Sequence, residues 1–274
     1  MARVHQKLAP FQNVGANQTA ILPQVNPGMT VAGIALKLGG TFAKSDINGI
    51  RIRIAGKQIV DITGAHLDAQ NKYEGLGSAA GYLLIPFSDF RARTISGEMA
   101  GGIDTVALGA MDIEVDIGGA TDPTLSAWAL LAPPKPKGRD DRYALTAILK
   151  ANETFGGAGE YNVNVPLGSI RGSMIDRVFA HSTVVTKLQV TKDGLWLGQD
   201  GETAMLDFLQ STTGLKAPQS DLVVFDPEIT GNVSDAVSTL RRDGSMASFQ
   251  WKYTASGAGA VTCYSRLRST IDRV

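Results

Sequence analysis

The sequence predicts an all-β fold: two tandem eight-stranded β-sandwiches of jelly-roll type, each with a short helix inserted. Three observations carry that expectation. Apolar and polar residues alternate with a period of two in many short stretches, and turn residues separate those stretches. The same order of elements then occurs twice, at an offset of roughly 140 residues, which is a tandem duplication rather than a solenoid repeat.

The alternation is clearest in residues 109–128. Met111, Ile113, Val115 and Ile117 alternate with Asp112, Glu114 and Asp116, giving a strand with one apolar and one acidic face. Gly118-Gly119 and Asp122-Pro123 supply turn chemistry, and residues 124–131 read as a strand coming straight back, so a hairpin is expected. A second such hairpin is expected near the C-terminus. There Phe249, Trp251 and Tyr253 alternate with Ser248, Gln250 and Lys252, residues 257–259 turn, and residues 260–267 return.

Taken in order, residues 1–10 read as a loose arm. Strands are expected at 19–25, 31–38, 50–54 and 58–62, with Asn26-Pro27-Gly28 and Ala55-Gly56 as turns. Thr63 then reads as the N-cap of a short helix carrying Leu67-Asp68. Residues 82–87 form an apolar strand, 91–107 loop plus strand, and the first hairpin closes the module. Three prolines within residues 132–139 make a stiff connector, because each lacks an amide donor and fixes φ. The expected division is 1–132, a linker at 133–141, and 142–274.

In the second module, residues 143–151 read as strand or short helix. Tyr161, Val163 and Val165 alternate with Asn162 and Asn164, and further strands are expected at 175–180, 187–191 and 195–197. Residues 202–210 read as a helix in which Met205, Leu206, Phe208 and Leu209 partly cover one face. A strand at 222–225 stops at Asp226-Pro227, and 234–242 is a helix capped by Ser234 or an irregular edge.

Composition narrows the function. The 274 residues carry 26 basic and 26 acidic side chains, so neither nucleic acid nor an acidic membrane surface is suggested as main partner. The longest apolar run is about half of the ~20 residues a spanning helix needs, and the first residues lack an apolar core of signal-peptide length. A soluble chain without export signal is expected. The lone Cys263 reads as a buried thiol.

No catalytic, cofactor-binding or metal-ligating residue is assigned. Asp112, Glu114 and Asp116 lie in line on one strand, about 7 Å apart, rather than converging on a point. They read as a solvated face, with a calcium ion bridged to a neighbouring subunit as the alternative. His5, His66 and His181 have no ligand spacing. There is no nucleophile elbow, phosphate loop or cysteine pair. Arg241, Arg242, Arg266, Arg268 and Arg273 read as solvated charges near the C-terminus, or as contacts to phosphates of lipid or genome. Trp128, Trp196 and Trp251 read as core or inter-subunit packing, with a lectin-like sugar platform as the alternative.

Several stretches also resemble the major capsid protein of corticoviruses. They are Asn13, Val14, Ala16, Asn17, Ile21, Leu22 and Pro23, then residues 50–59 (IRIRIAGKQI), 107–109, 113–117 and 123–127 (PTLSA). The likeness is best over the first ~130 residues and survives beyond them as element order. It implies a double jelly roll whose trimers have a pseudo-hexagonal outline and tile an icosahedral shell over an internal lipid membrane. Tectiviruses and autolykiviruses build shells in this way.

The partners so implied are a homotrimer, neighbouring capsomers, other capsid, vertex or membrane proteins, and a nearby lipid membrane, without sequence-specific nucleic-acid binding. Localisation would be the virion, assembled in the bacterial cytoplasm. The resemblance also implies calcium associated with the subunits, with no ligand assigned. A basic arm at Arg3 and Lys7 is expected on the lipid side. Competing expectations are a carbohydrate-binding or spike-type sandwich module and, less favoured, a glycoside hydrolase using Glu114.

Overall fold

The computed structural model describes residues 4–92, 99–136, 143–169 and 171–274. The N-terminal lobe opens with one sheet in the order β1 (Val4–Lys7), β9 (Thr124–Ala132), β3 (Thr30–Gly39), β6 (Tyr82–Pro86), with the two-residue β7 (Ile103–Asp104) beside β3. Facing it are β2 (Thr19–Val25), β8 (Met111–Ile117), β4 (Ile47–Ile54) and β5 (Lys57–Ile62), in that order. Ile34, Leu36 and Ala127 from the first sheet join Ile50, Ile52 and Ile113 from the second in one buried core.

The C-terminal lobe repeats this strand for strand. One sheet runs β10 (Ala144–Phe155), β18 (Gly259–Thr270), β12 (Met174–His181), β15 (Leu222–Phe225), with β16 (Val237–Ser238) beside β12. The other runs β11 (Gly159–Asn162), β17 (Phe249–Ala255), β13 (Val185–Lys192), β14 (Leu195–Glu202). A helix follows the β4–β5 hairpin in the first lobe and the β13–β14 hairpin in the second: α1 (Gly64–Tyr73) and α2 (Thr203–Thr213). The expected pair of sandwiches, each with an inserted helix, is therefore the observed architecture.

The lobes share a sheet. β5 meets β10 through a parallel bridge, Val60 to Ile148, so the second sheet of the first lobe continues into the first sheet of the second as nine strands. β12 is buried on nearly every residue because one face points into its own lobe and the other under α1.

Three expectations need correction. Both closing hairpins are absent. β8 pairs with β2 and β4 while β9 pairs with β1 and β3, and β17 and β18 likewise belong to opposite sheets. The turns at 118–123 and 256–258 are corners between layers, which periodicity cannot distinguish from hairpin turns. The tight hairpins lie elsewhere, at Ala55-Gly56 and Asp193-Gly194, where both residues have positive φ (48° and 77°; 51° and 80°).

The loose arm is a strand from Val4, because β9 offers it an unpaired edge; Arg3 lies outside the described residues. In α2 only Leu206 of the four apolar residues is buried, while Met205, Phe208 and Leu209 are 56%, 60% and 42% exposed. The helix lies on the lobe, and among the described residues nothing covers its outer side. Of the alternatives left open, 143–151 is strand, and 234–242 is the irregular segment, apart from a 3-10 turn and β16. Of the linker, Lys135 is buried and donates from Nζ to the Ala144 carbonyl at 2.8 Å, while 137–141 lie outside the described residues.

Candidate functional site

The side-chain chemistry concentrates at the joint between the lobes. Thr63 Oγ1 accepts from the His66 amide at 3.3 Å and so starts α1 beside β18 and β12. His66 then stacks on His181 with ring centroids 4.0 Å apart, and its Nδ1 lies 2.8 Å from Tyr264 Oη. One turn on, Gln70 Nε2 is 3.3 Å from His181 Nε2, and Tyr73 packs edge-on against Phe179. Two of the three histidines, His66 and His181, thus meet across the joint because each sits at the end of an element that faces the other lobe. Burial lowers the His66 pKa, helped by the Lys150 charge. Burial and the neighbouring His66 bring His181 down to about 3.

Below the rings lies a buried charge network. Arg177 is 2% exposed and reaches Asp226 at 3.1 Å, Asp89 at 3.4 Å, Glu228 at 3.6 Å and Glu74 at 3.8 Å. Arg266 binds Glu74 and donates to the Pro86 carbonyl at 3.2 Å; Arg268 binds Asp176 and Glu228, each at 2.5 Å. Lys216 completes it, 3.4 Å from Asp226. Glu74, Asp89 and Pro86 come from the first lobe and the rest from the second. Desolvation, then the nearby Asp176, pushes the Glu228 carboxyl well above its ordinary value, and burial also raises Asp176. A small cavity of about 10 Å³ lies here, with Ser88, Asp89, Arg177 and Arg266 in its lining.

This relocates two of the five arginines. Arg266 and Arg268 are structural members of the joint, neither solvated nor free for phosphate; their strand, β18, runs between two packed layers, which local charge patterning does not reveal. Arg241 pairs with Asp193 at 2.6 Å at the surface, and Arg242 and Arg273 are exposed.

The acidic row is also not simply solvated. Arg51 Nε lies 3.1 Å from Glu114, and its NH2 donates to Asp116 at 2.8 Å; Arg53 binds Glu114; Thr19 Oγ1 donates to Asp116 at 2.7 Å. The Gln24 amide donates to Asp112 at 2.9 Å. Guanidinium groups on the adjacent strand β4 thus engage Glu114 and Asp116, and a backbone amide engages Asp112. Among the described residues, no cluster of three or more His, Cys, Asp or Glu converges as a ligand set.

Cys263 is buried beside Tyr253, and burial pushes its thiol up to about 11. Trp251 is in the core and Trp128 half-buried under Lys7, whereas Trp196 is 56% exposed. His5 is exposed on β1. Among the described residues, no helix is long and apolar enough to cross a membrane.

Comparison with known proteins supplies the family. Two family models match, the viral coat protein P2 N-terminal domain over residues 5–132 and the viral coat protein P2 C-terminal domain over residues 145–267. Among curated proteins no sequence relative matches. The fold is that of the major capsid protein P2 from bacteriophage PM2, with a TM-score of 0.84, 19% identity and 98% of each chain covered. It is also similar to a chain of Sulfolobus Turreted Icosahedral Virus, with a TM-score of 0.65, 10% identity, and 98% of this chain and 91% of that one covered. A chain of the PBCV-1 virus capsid aligns with a TM-score of 0.62 and 10% identity, covering 97% and 93%. With both of its lobes matched in order, the chain belongs to the viral coat protein P2 family, as a structural protein of the virion capsid and not an enzyme.

Proposed function

We propose that three copies of this major capsid protein form a trimer of pseudo-hexagonal outline, and that such trimers tile an icosahedral shell over an internal lipid membrane. The observation that carries this reading is the strand-for-strand repetition of one sandwich in both lobes. Two like lobes taken three times give six similar lobes, and closed rotational symmetry is the usual solution for a homo-oligomer. Neighbouring trimers, vertex proteins and membrane proteins are the further partners. Balanced formal charge suits a protein separated from the genome by lipid, and the internal placement of Arg266 and Arg268 removes two cations that could have met phosphate. Assembly in the bacterial cytoplasm belongs to the same reading.

A calcium ion within this assembly would draw ligands from more than one copy, since the acidic row of a single chain is engaged by Arg51 and Arg53. Sedimentation and electron microscopy of the purified protein test the proposal: a stable trimer with a hexagon-shaped projection is expected. A species that stays monomeric at high concentration near neutral pH overturns it.

A further inference from the structure

The two lobes can be put in register residue by residue. In β12, Phe179 lies between Tyr264 of β18 and Val224 of β15; in β3, Ala35 lies between Trp128 of β9 and Leu84 of β6. The strands even carry their irregularity at the same place, between Ile175 and Arg177 and between Val31 and Gly33. The helices align as well. Asn71 of α1 donates to the Leu84 carbonyl and Gln210 of α2 to the Val224 carbonyl, both at 2.7 Å. Counting back along each helix, Gln70 corresponds to Leu209 and His66 to Met205.

Inside the chain, His66 and Gln70 dock on His181 and Tyr264 of the other lobe. Their counterparts in α2, Met205 and Leu209, are exposed, and so is the surface that corresponds to the dock. His181 becomes Lys37, which is exposed, and Tyr264 becomes Trp128, which is half-buried. The chemistry has changed in step on the two sides. The intramolecular dock is polar, with histidine, glutamine and a glutamate meeting histidine and arginine. The unpartnered pair is apolar: Met205 and Leu209 on one side, and on the other Trp128 and Leu130, the latter standing where Arg266 stands. The edges match too. β10 is paired through Ile148 to β5, whereas its counterpart β1 has no strand on its outer edge among the described residues, and all four of its residues are exposed.

We infer that the occupant of the exposed face of α2 is the N-terminal lobe of a second copy. The contact repeats the internal joint, with Met205 and Leu209 seated over Trp128 and Lys37 of the neighbour. Different surfaces meet, so the contact is head-to-tail and closes into a ring when the rotation permits. This inference rests on the trimer reading above and says which surfaces close the ring.

The test uses the full chain with Lys37→Cys and Leu209→Cys, both at exposed positions, treated with a short bismaleimide under native conditions, where Cys263 is buried. Chain-to-chain cross-links running up to a covalent trimer are expected, with none from either single variant alone. A second variant, Met205→Asp with Leu209→Asp, is expected to lose the trimer while keeping the native circular dichroism, since both side chains are exposed. If the parent protein is trimeric and the cysteine pair gives no cross-link, this assignment is overturned and the trimer stands. If the parent is monomeric at every concentration, the trimer reading falls and the inference falls with it.

Discussion

Arg177 is the side chain on which the joint converges. It is buried with four carboxylates within 4 Å, contributed by both lobes. A buried cation is tolerated only when its charge and donors are matched, and removing one partner leaves the others desolvated and unpaired. Arg177→Met keeps the stem and deletes the charge, so it is expected to destabilise the protein by about 3–5 kcal/mol, read as a lowered midpoint in urea unfolding with fluorescence detection. Such a network was barely legible in the sequence. Its members are spread from Glu74 to Arg268, and each looks like an ordinary surface charge until the strands are laid side by side. Arg51 and Arg53 were more accessible to sequence reasoning: two arginines alternating with isoleucine on one strand have the same period as Asp112, Glu114 and Asp116, and adjacent pairing would set them opposite.

At the scale of elements, the strands were legible and their partners were not. Side-chain alternation fixes which residues face a core, so β2, β3, β5, β6, β8 and β9 lie within a residue of their expected places, while β4 begins three residues earlier than expected. Alternation says nothing about whether the next strand returns in the same sheet or crosses to the other, which is why two layer-changing corners read as hairpins. The turn dihedrals do distinguish them. At the genuine hairpin between β4 and β5, Ala55 takes φ 48° and Gly56 φ 77°, the left-handed pair that favours Asn-Gly. The Cβ of Ala55 makes that conformation costly, whereas an asparagine tolerates it. Ala55→Asn is therefore expected to stabilise the protein by about 0.5–1 kcal/mol, seen as a raised midpoint in the same urea titration; an unchanged or lower midpoint counts against this account of the turn.

At the scale of the molecule, the lobes are joined by a sheet, a core cluster and a polar dock, and the dock gives the joint a pH dependence. Phe179, Leu222, Val224 and Tyr264 of the second lobe share a buried cluster with the first, so separating the lobes exposes apolar surface as well as the two histidines. Docked, His181 holds a pKa of about 3, and exposed it returns to its ordinary 6.5. Between those values the separated or unfolded state binds more protons, so stability rises with pH there. The contribution is complete above about pH 6.5 and is lost as pH falls towards 3, with His66 acting in the same direction. The carboxyl pair Asp176 and Glu228 acts oppositely. Its raised pKa means that the folded state holds the extra proton, so its contribution is present at low pH and is lost as pH rises through the raised value. The two slopes separate by subtraction. Against His181→Gln, which cannot take the proton, the parent is expected to lose about 1.6 kcal/mol of relative stability between pH 6.5 and pH 5, the weight of one depressed proton site over that interval. Urea unfolding of both proteins at each pH measures it. A parent and variant whose midpoints move in parallel would show that His181 binds its proton equally well in the folded and unfolded states, and that the dock contributes no pH dependence through this imidazole.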